Sequence, residues 1–409
     1  MGLRQKIVLV TSGQPSLNPR LVKEADALAN AGYEVVVIYQ YWNDWGTDLD
    51  IELLKTKRWT AYRVGGSPNE HKLTYWYARI QHKLASYLLK HLGPKGFLVE
   101  AAIGRCCLLL AKKAQAIKAD LYIGHNLAAL PAIVKAARYH KGKCGFDAED
   151  FHRYEESDDE NELKVKLKIA MEDRYIHQLD YLTTASPLID HAYRAIYPLK
   201  NGTSILNVFG QQATDGSLKK ENAALKLFWF SQTIGTNRGL EQVIEAMSLC
   251  KQYPIELHLL GACRAATKSY FNNTADRYGL QAKLIFYHPP IPEKEIFTFA
   301  QQFDIGLATE TSLPKNRDIC LTNKIFTYVQ IGLATIASNT TAQRQLMEKY
   351  PDMGSIFEST ATLVKLLENY ASDKKWLKTQ QKKALLYART ELNWEKEQEK
   401  FLSIIRQTI

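Results

Sequence analysis

Apolar runs of strand length, each followed by a polar turn and a segment with helical spacing, recur from Lys6 to Ser338. Such alternation commits a chain to parallel sheets with crossover helices. Residues 225–250, LKLFWFSQTIGTNRGLEQVIEAMSLC, show the unit most plainly. Leu225–Phe230 has the length and apolarity of a buried parallel strand. A polar turn, Ser231–Asn237, carries Gly235 at its middle. A helix is predicted from about Arg238, with Leu240, Val243, Ile244 and Met247 on one apolar face. The free N–H groups and positive dipole end of such a helix point into the turn, where a phosphate can sit, and Arg238 can add a charged fork. The alternative is an ordinary βα turn with a surface arginine, since the turn is neither a P-loop nor a dinucleotide fingerprint.

The chain opens in the same way. Ile7–Val10 and Val35–Ile38 flank a helical segment with Leu21, Ala25 and Leu28, ended by Gly32. Gly13, in the loop after the first strand, either serves the turn or lets a ligand approach the backbone. Residues 41–118 are less regular, with a strand near Thr60–Val64 and helices predicted over 71–92 and 97–118. This region is rich in aromatics and bases, among them Trp42, Trp45, Trp76, Tyr77, Lys83 and Lys90. Two readings stand for it: half-buried aromatics on a domain exterior, or a segment lying on a membrane surface.

From Asp120 the alternation resumes. A strand ending at Ile123 puts His125 and Asn126 at its carboxyl end, and the next, ending at Phe146, puts Asp147, Glu149, Asp150 and His152 at the same rim. Open α/β sheets hold their ligands there. The acidic run 154–162 lacks the spacing of a calcium loop and leads into a helix over 162–178. A strand DYLTTAS and a last one, residues 204–209, close the first half. Polar residues 210–221 are taken as the linker. The second half has strands near 255, 283 and 304, helices over 264–278 and 293–302, and a helix, glycine turn and strand over 323–338. Three terminal helices are expected near 359–371, 373–391 and 392–408.

At 409 residues the chain is too long for one ordinary core. The expected division is 1–209, joined by the C-terminal helix 392–409, and 222–391. Two doubly wound α/β domains would leave a cleft between their strand ends, the default ligand site. No run is long and apolar enough for a membrane span, and the N-terminus lacks the features of a signal peptide. The six cysteines show no CxxC spacing and read as reduced packing residues of a cytosolic protein. A net charge of +10 favours anionic partners, a nucleotide phosphate or an acidic membrane among them. Nucleic acid is disfavoured, because the bases are dispersed and no recognised module appears.

Four stretches, taken in order, resemble a GT-B glycosyltransferase, closest to glycosyltransferase family 4, the retaining nucleotide-sugar enzymes of bacterial polysaccharide assembly. PSLNPRLVKEADALANAGYEVVVI is similar to that family's opening loop, first helix and second strand. GFDAEDFH stands where a YDxHE-like strand end is common. FSQTIGTNRGLEQVIEAM resembles its glycine-bearing turn and Lys/Arg-Gly pair, and LTNKIFTYVQIGLATIAS its nucleotide-binding helix and following strand. The terminal WEKEQEKFLSIIRQ resembles the family's last helix.

The resemblance implies an α/β GT-B protein with two Rossmann-like domains facing each other across a cleft. It implies a metal-independent transferase with no cofactor besides its nucleotide-diphosphate-sugar donor, acting on a glycan or lipid-linked acceptor. Catalytic roles would fall to Arg238, Lys324, His125 and His152. Donor contacts would come from Gly13, Gly235, Arg238, Glu310, Asn323, Lys324 and Thr327, and sugar or acceptor contacts from Glu149 and Asp150. The expected location is the cytoplasm, with peripheral contact at the inner face of an anionic membrane as one of the two readings of the aromatic-basic region.

The family's pattern is also broken in places. Of its paired glutamates, the second falls at Thr327 and the first at Ile319, leaving Glu310 to substitute. Ser231 and Gln232 stand where an arginine is often found, and Glu149 replaces a histidine. A degenerate GT-B protein that binds without turnover is therefore the alternative; a GT-B-like epimerase would need in-cleft carboxylates this chain does not clearly show.

Overall fold

A computed structural model describes residues 4–199, 201–212 and 223–409. The chain forms two compact units, one of residues up to 206 with 314–316 and 398–409, the other of 207–313 and 317–397. Of the expected linker, residues 213–221 lie outside the described residues.

The first unit holds seven parallel strands: β1 (Lys6–Thr11), β2 (Glu34–Gln40), β3 (Thr60–Val64), β4 (Leu121–His125), β5 (Lys143–Ala148), β6 (Tyr181–Thr184) and β7 (Gly202–Ser204). Their order is β3-β2-β1-β4-β5-β6-β7. The second holds six: β8 (Leu225–Thr233), β9 (Ile255–Ala262), β10 (Ile285–His288), β11 (Ile305–Ala308), β12 (Ala334–Ser338) and β13 (Gly354–Phe357), ordered β10-β9-β8-β11-β12-β13. Each sheet is doubly wound, and the strand order reverses between β1 and β4 and between β8 and β11. Ligands of such sheets bind outside the carboxyl ends of the strands at that reversal.

The inner strands carry the continuous β-branched and aliphatic runs that a sheet covered on both faces requires. Ile7–Val10, Val37, Ile38 and Leu121–Ile123 are wholly buried, as are Leu227, Phe228 and Trp229. The helix Leu240–Leu249 turns Leu240, Val243, Ile244 and Met247 into the second unit's core. Each such side chain stabilises by about 1.5–3 kcal/mol. Two glycines let rings lie flat on the sheets: a Cβ at Gly145 would fall 2.0 Å from Tyr181, and one at Gly306 2.1 Å from Tyr328. All six cysteines are free, and Cys106, Cys107, Cys144 and Cys250 are buried.

Several expected elements differ. The helix predicted over 97–118 is two, Gly96–Ile103 and Cys107–Gln115, because Gly104 is extended and packs so tightly that a Cβ there would meet Ala128 at 2.7 Å. The strand expected over 204–209 is Gly202–Ser204. The helix 162–178 stops at Tyr175 and tightens into a 3-10 turn, Ile176–Gln178. The helix placed near Arg238 starts at Leu240, because Asn237 (φ 59°) and Gly239 (φ 75°) hold the left-handed conformation before it. The helix Asp44–Leu54 and the strand β13 were not expected; the helix's apolar residues do not gather on one buried face, Trp45, Leu49 and Ile51 being exposed.

Candidate functional site

In the first unit the loop after β1 is anchored by Gln14. Its buried amide donates to Asp50 Oδ2 at 2.8 Å and accepts from the backbone N–H groups of Trp42 and Asn43. Gly13 is left with its Cα side open, since an added Cβ would meet only Thr11 Oγ1 at 3.7 Å. Beside it, at the end of β4, Asn126 adopts φ 69°, ψ 149°, close to a region normally reserved for glycine. Its Oδ1 accepts from Thr11 Oγ1 at 3.0 Å, which ties the ends of β1 and β4 together at the reversal point.

Directly behind this rim lies a buried charged cluster. Arg20, on the helix Pro19–Asn30, holds both carboxylate oxygens of Asp147 from β5, through Nε and, at 2.8 Å, through Nη2. Its Nη1 donates to the Ile205 carbonyl at 2.5 Å. Glu24, one turn on, stands 3.2 Å from His125 Nε2 and 3.8 Å from Arg20 Nε, but without an aligned hydrogen bond. His125 Nδ1 contacts Glu149 Oε1 at 3.1 Å, and that oxygen also accepts from Asn18 Nδ2 at 2.6 Å. Arg20, Glu24, His125 and Asp147 are at most 1% exposed. Donor atoms of Glu24, His125 and Asp147 lie within 4.8 Å of one another, the reach of a metal ion. Arg20 already supplies the positive charge there, and an entering cation would have to displace it.

Burial disfavours the imidazolium of His125, yet Glu24, Glu149 and Asp147 outweigh it and push its pKa up to about 10. Burial and Asp147 raise Glu24 to about 7 against the opposing pull of His125 and Arg20. Burial also works against ionised Asp147, but Arg20 and His125 hold its pKa below the usual value. A histidine raised in the folded state stabilises fully below its ordinary pKa of about 6.5, and the stabilisation is lost as pH climbs toward about 10. Glu24 acts in the same direction lower down, since ionising it costs more in the folded state. Thermal stability is therefore expected to fall between pH 7 and 10 in the native protein and to fall less in His125→Gln. Parallel profiles of melting temperature against pH for the two proteins would refute the protonated His125.

His152 belongs to a separate network. Its Nδ1 is 3.4 Å from Glu155 Oε2, its Nε2 is buried without a hydrogen-bond partner among the described residues, and its backbone N–H donates to the Tyr193 hydroxyl. Burial opposes protonation, but Glu155, Asp150 and Glu172 raise its pKa. Asp150 accepts from Asn316 Nδ2 at 2.9 Å, and burial together with Glu155 raises its pKa. Each of the two histidines thus contacts a carboxylate through Nδ1, and Glu149 and Asp150 each accept from an asparagine amide.

In the second unit the turn after β8 leads to the helix Leu240–Leu249, whose N-cap, Gly239, is positively twisted; a Cβ there would fall 2.9 Å from Thr309. Thr309, just past the end of β11, donates from its hydroxyl to the Arg238 carbonyl at 2.5 Å and pins the turn to the neighbouring strand. The helix start has no side-chain cap, although Glu241 in its first turn accepts from the Asn237 N–H at 3.1 Å. The Arg238 guanidinium has no ion-pair partner among the described residues, and a Cβ at Gly235 would meet no atom within 4 Å. Glu310 follows Thr309. Its backbone N–H donates to Ser338 Oγ at 2.9 Å, and its carboxylate accepts from Lys324 Nζ at 2.7 Å. Lys324 Nζ also stands 5.4 Å from the ring of Trp229, which is buried with no hydrogen-bond partner for Nε1–H among the described residues. Lys324 is in the first turn of the helix Asn323–Gln330, which likewise lacks a side-chain cap. Asn323 is exposed, whereas Thr327 is buried and donates to the Asn323 carbonyl at 3.1 Å.

The reversal point of the second sheet thus brings together Arg238, Gly235, Glu310 and Lys324, two uncapped helix starts and Trp229. Thr309, Ser338 and Trp229 were not anticipated, nor were Arg20 and Glu24 in the first unit. The only sequence signal for the last two is a pair of charges, one turn apart, beside the buried positions Leu21, Ala25 and Leu28.

No protein-family model matches the sequence, and no curated protein is similar to it by sequence. Solved structures match its whole length. A glycosyltransferase from Rickettsia africae ESF-5 superposes with a TM-score of 0.68 at 11% identity, covering 99% of each chain. HepE from Anabaena, in complex with UDP and glucose, gives 0.68 at 14% identity over 99% of this chain and 100% of its own. Sucrose-phosphate synthase from Thermosynechococcus elongatus gives 0.68 at 13% identity over 99% of each chain. At these identities the likeness establishes the fold, an α/β architecture of the GT-B type.

Proposed function

We propose that this protein is a glycosyltransferase of the family 4 kind, moving a sugar from a nucleoside-diphosphate donor to a hydroxyl of a glycan or lipid-linked acceptor. One observation carries the reading: an arginine with no ion-pair partner among the described residues, a buried lysine and two helix starts without side-chain caps converge at the reversal point of the second sheet. Breaking the anomeric C–O bond leaves negative charge on the departing diphosphate. Cationic side chains and oriented N–H groups stabilise that charge without a metal. Arg238 forks onto the diphosphate, the free N–H groups of Leu240–Leu249 receive it, and Lys324 adds a second charge. Glu310 holds a donor hydroxyl through the oxygen that Lys324 does not occupy. The complexes of HepE with UDP and glucose support a nucleotide sugar as the ligand class. The bond to the acceptor forms on the face the diphosphate leaves, with retention, and the acceptor proton passes to a diphosphate oxygen. We place this reaction in the cytoplasm, in bacterial surface-glycan synthesis.

A thermal-shift panel of UDP, GDP, CMP, ADP and their sugars tests this directly. A ligand at about 100 times its Kd adds roughly 2.7 kcal/mol of stability, so a clear rise with one nucleotide is expected. No shift from a well-folded sample would sink the nucleotide-sugar reading. A second reading is kept by the site's departures: Thr327 is bonded within its own helix and Glu310 is committed to Lys324. A protein that binds nucleotide sugar without turning it over would shift in the panel yet release no nucleoside diphosphate with any acceptor.

A further inference from the structure

We infer that the outward face of the helix Lys72–Leu92 docks on an anionic lipid surface. The helix is amphipathic in an inverted sense. Its buried positions are the small Ala78 and Ala85 with Leu89, while its large apolar side chains point to solvent. Leu73 is 89% exposed and Ile80 63%; Trp76, Tyr77, Leu84 and Tyr87 are each more than half exposed. At about 100° per residue these six fall within one narrow stripe along the helix. An unbroken apolar stripe of this kind on a surface marks a contact site.

The charge beside the stripe identifies the occupant. On the same helical wheel Lys72, Arg79, Lys83 and Lys90 line one flank. Between His71 and Val99 there are five lysines and arginines and no aspartate or glutamate. Lys72, Lys83, Lys90 and Lys95 are exposed and have no ion-pair partner among the described residues. The nearest acids along the chain are already engaged: Glu70 by Arg63, and buried Glu100 by Lys135 and Tyr175. A second copy of the same face would bring cations against cations with no acid in the segment to balance them. An anionic bilayer matches both features, since it takes apolar side chains below the headgroups and lysines among them. No helix among the described residues is long and apolar enough to cross a membrane, so the contact is peripheral. The inference is independent of the proposed transferase activity.

Flotation of the full-length protein with vesicles decides it. Phosphatidylcholine vesicles with about one-third phosphatidylglycerol should carry the protein up the gradient, and pure phosphatidylcholine vesicles should not. Each lysine near an anionic surface contributes roughly fivefold, so Lys83→Glu with Lys90→Glu should weaken partitioning by at least ~25-fold. Ile80→Ser with Leu84→Ser should weaken it by about tenfold or more while the basic row is intact. All four positions are exposed, and unchanged melting temperatures would confirm that the variants fold. Failure of the native protein to float with the anionic vesicles would overturn the inference. So would undiminished binding by both double variants, or a dimer in sedimentation that Ile80→Ser with Leu84→Ser dissolves in the absence of vesicle binding.

Discussion

Replacing Arg20 by methionine should destabilise the first unit by about 3–5 kcal/mol, the usual cost of stripping one partner from a buried ion pair. Asp147 would lose both of its fork contacts, and Glu24 would keep His125 but lose the Arg20 cation that offsets the nearby Asp147. For a unit of this size the melting temperature would fall by roughly 6–20 °C. The paired change Arg20→Met with Asp147→Asn removes the stranded charge and should recover at least half of the loss. Thermal and urea unfolding of the three proteins would show this. If Arg20→Met alone melts within a degree or two of the native protein, the cluster is not holding the rim together.

Arg238→Ala and Lys324→Ala should each lower turnover by about 100–1000-fold, the range seen when a charge-stabilising group is lost. Their structural costs differ. Arg238 is partly exposed and unpaired among the described residues, so its loss should leave the melting temperature unchanged. Lys324 neutralises Glu310, which is only 8% exposed, so Lys324→Ala should also destabilise the second unit. Adding Glu310→Gln to Lys324→Ala should restore the fold but not the rate. Release of nucleoside diphosphate from the donor that the binding panel selects is the readout. Native turnover in both single variants would mean that the diphosphate is held elsewhere.

The sheets were readable because buried parallel strands need uninterrupted apolar runs, as in Ile7–Val10 and Leu225–Phe230. The helix Leu240–Leu249 was readable from its face, since Leu240, Val243, Ile244 and Met247 all enter the core. What escaped was set by contacts distant in sequence. Arg20 and Glu24 look like an ordinary surface pair one turn apart; only the approach of Asp147, 127 residues on, reveals them as buried. Gly104 reads as a tolerated helix glycine until Ala128 is seen against it. Asn126 looks like any polar strand end, because nothing local announces a backbone at φ 69°. Among the donor-side residues, Arg238 and Lys324 carried a signal through their turn and helix. Trp229 and Ser338 carried none, being ordinary strand residues whose place at the reversal point is a property of strand order.

The six thiols divide unevenly with respect to chemical attack. Burial pushes Cys106 and Cys250 to about 11 and Cys107 and Cys144 to about 12, so thiolate, the form that alkylating reagents and oxidants consume, is scarce at all four near neutrality. Cys263 and Cys320, both half-buried, are more accessible, although burial raises the Cys263 thiol as well, and both belong to the second unit. A fluorophore or spin label introduced under mild conditions would therefore report on the second unit alone, without any cysteine being removed. Cys320 lies three residues before Asn323, where the helix that carries Lys324 begins.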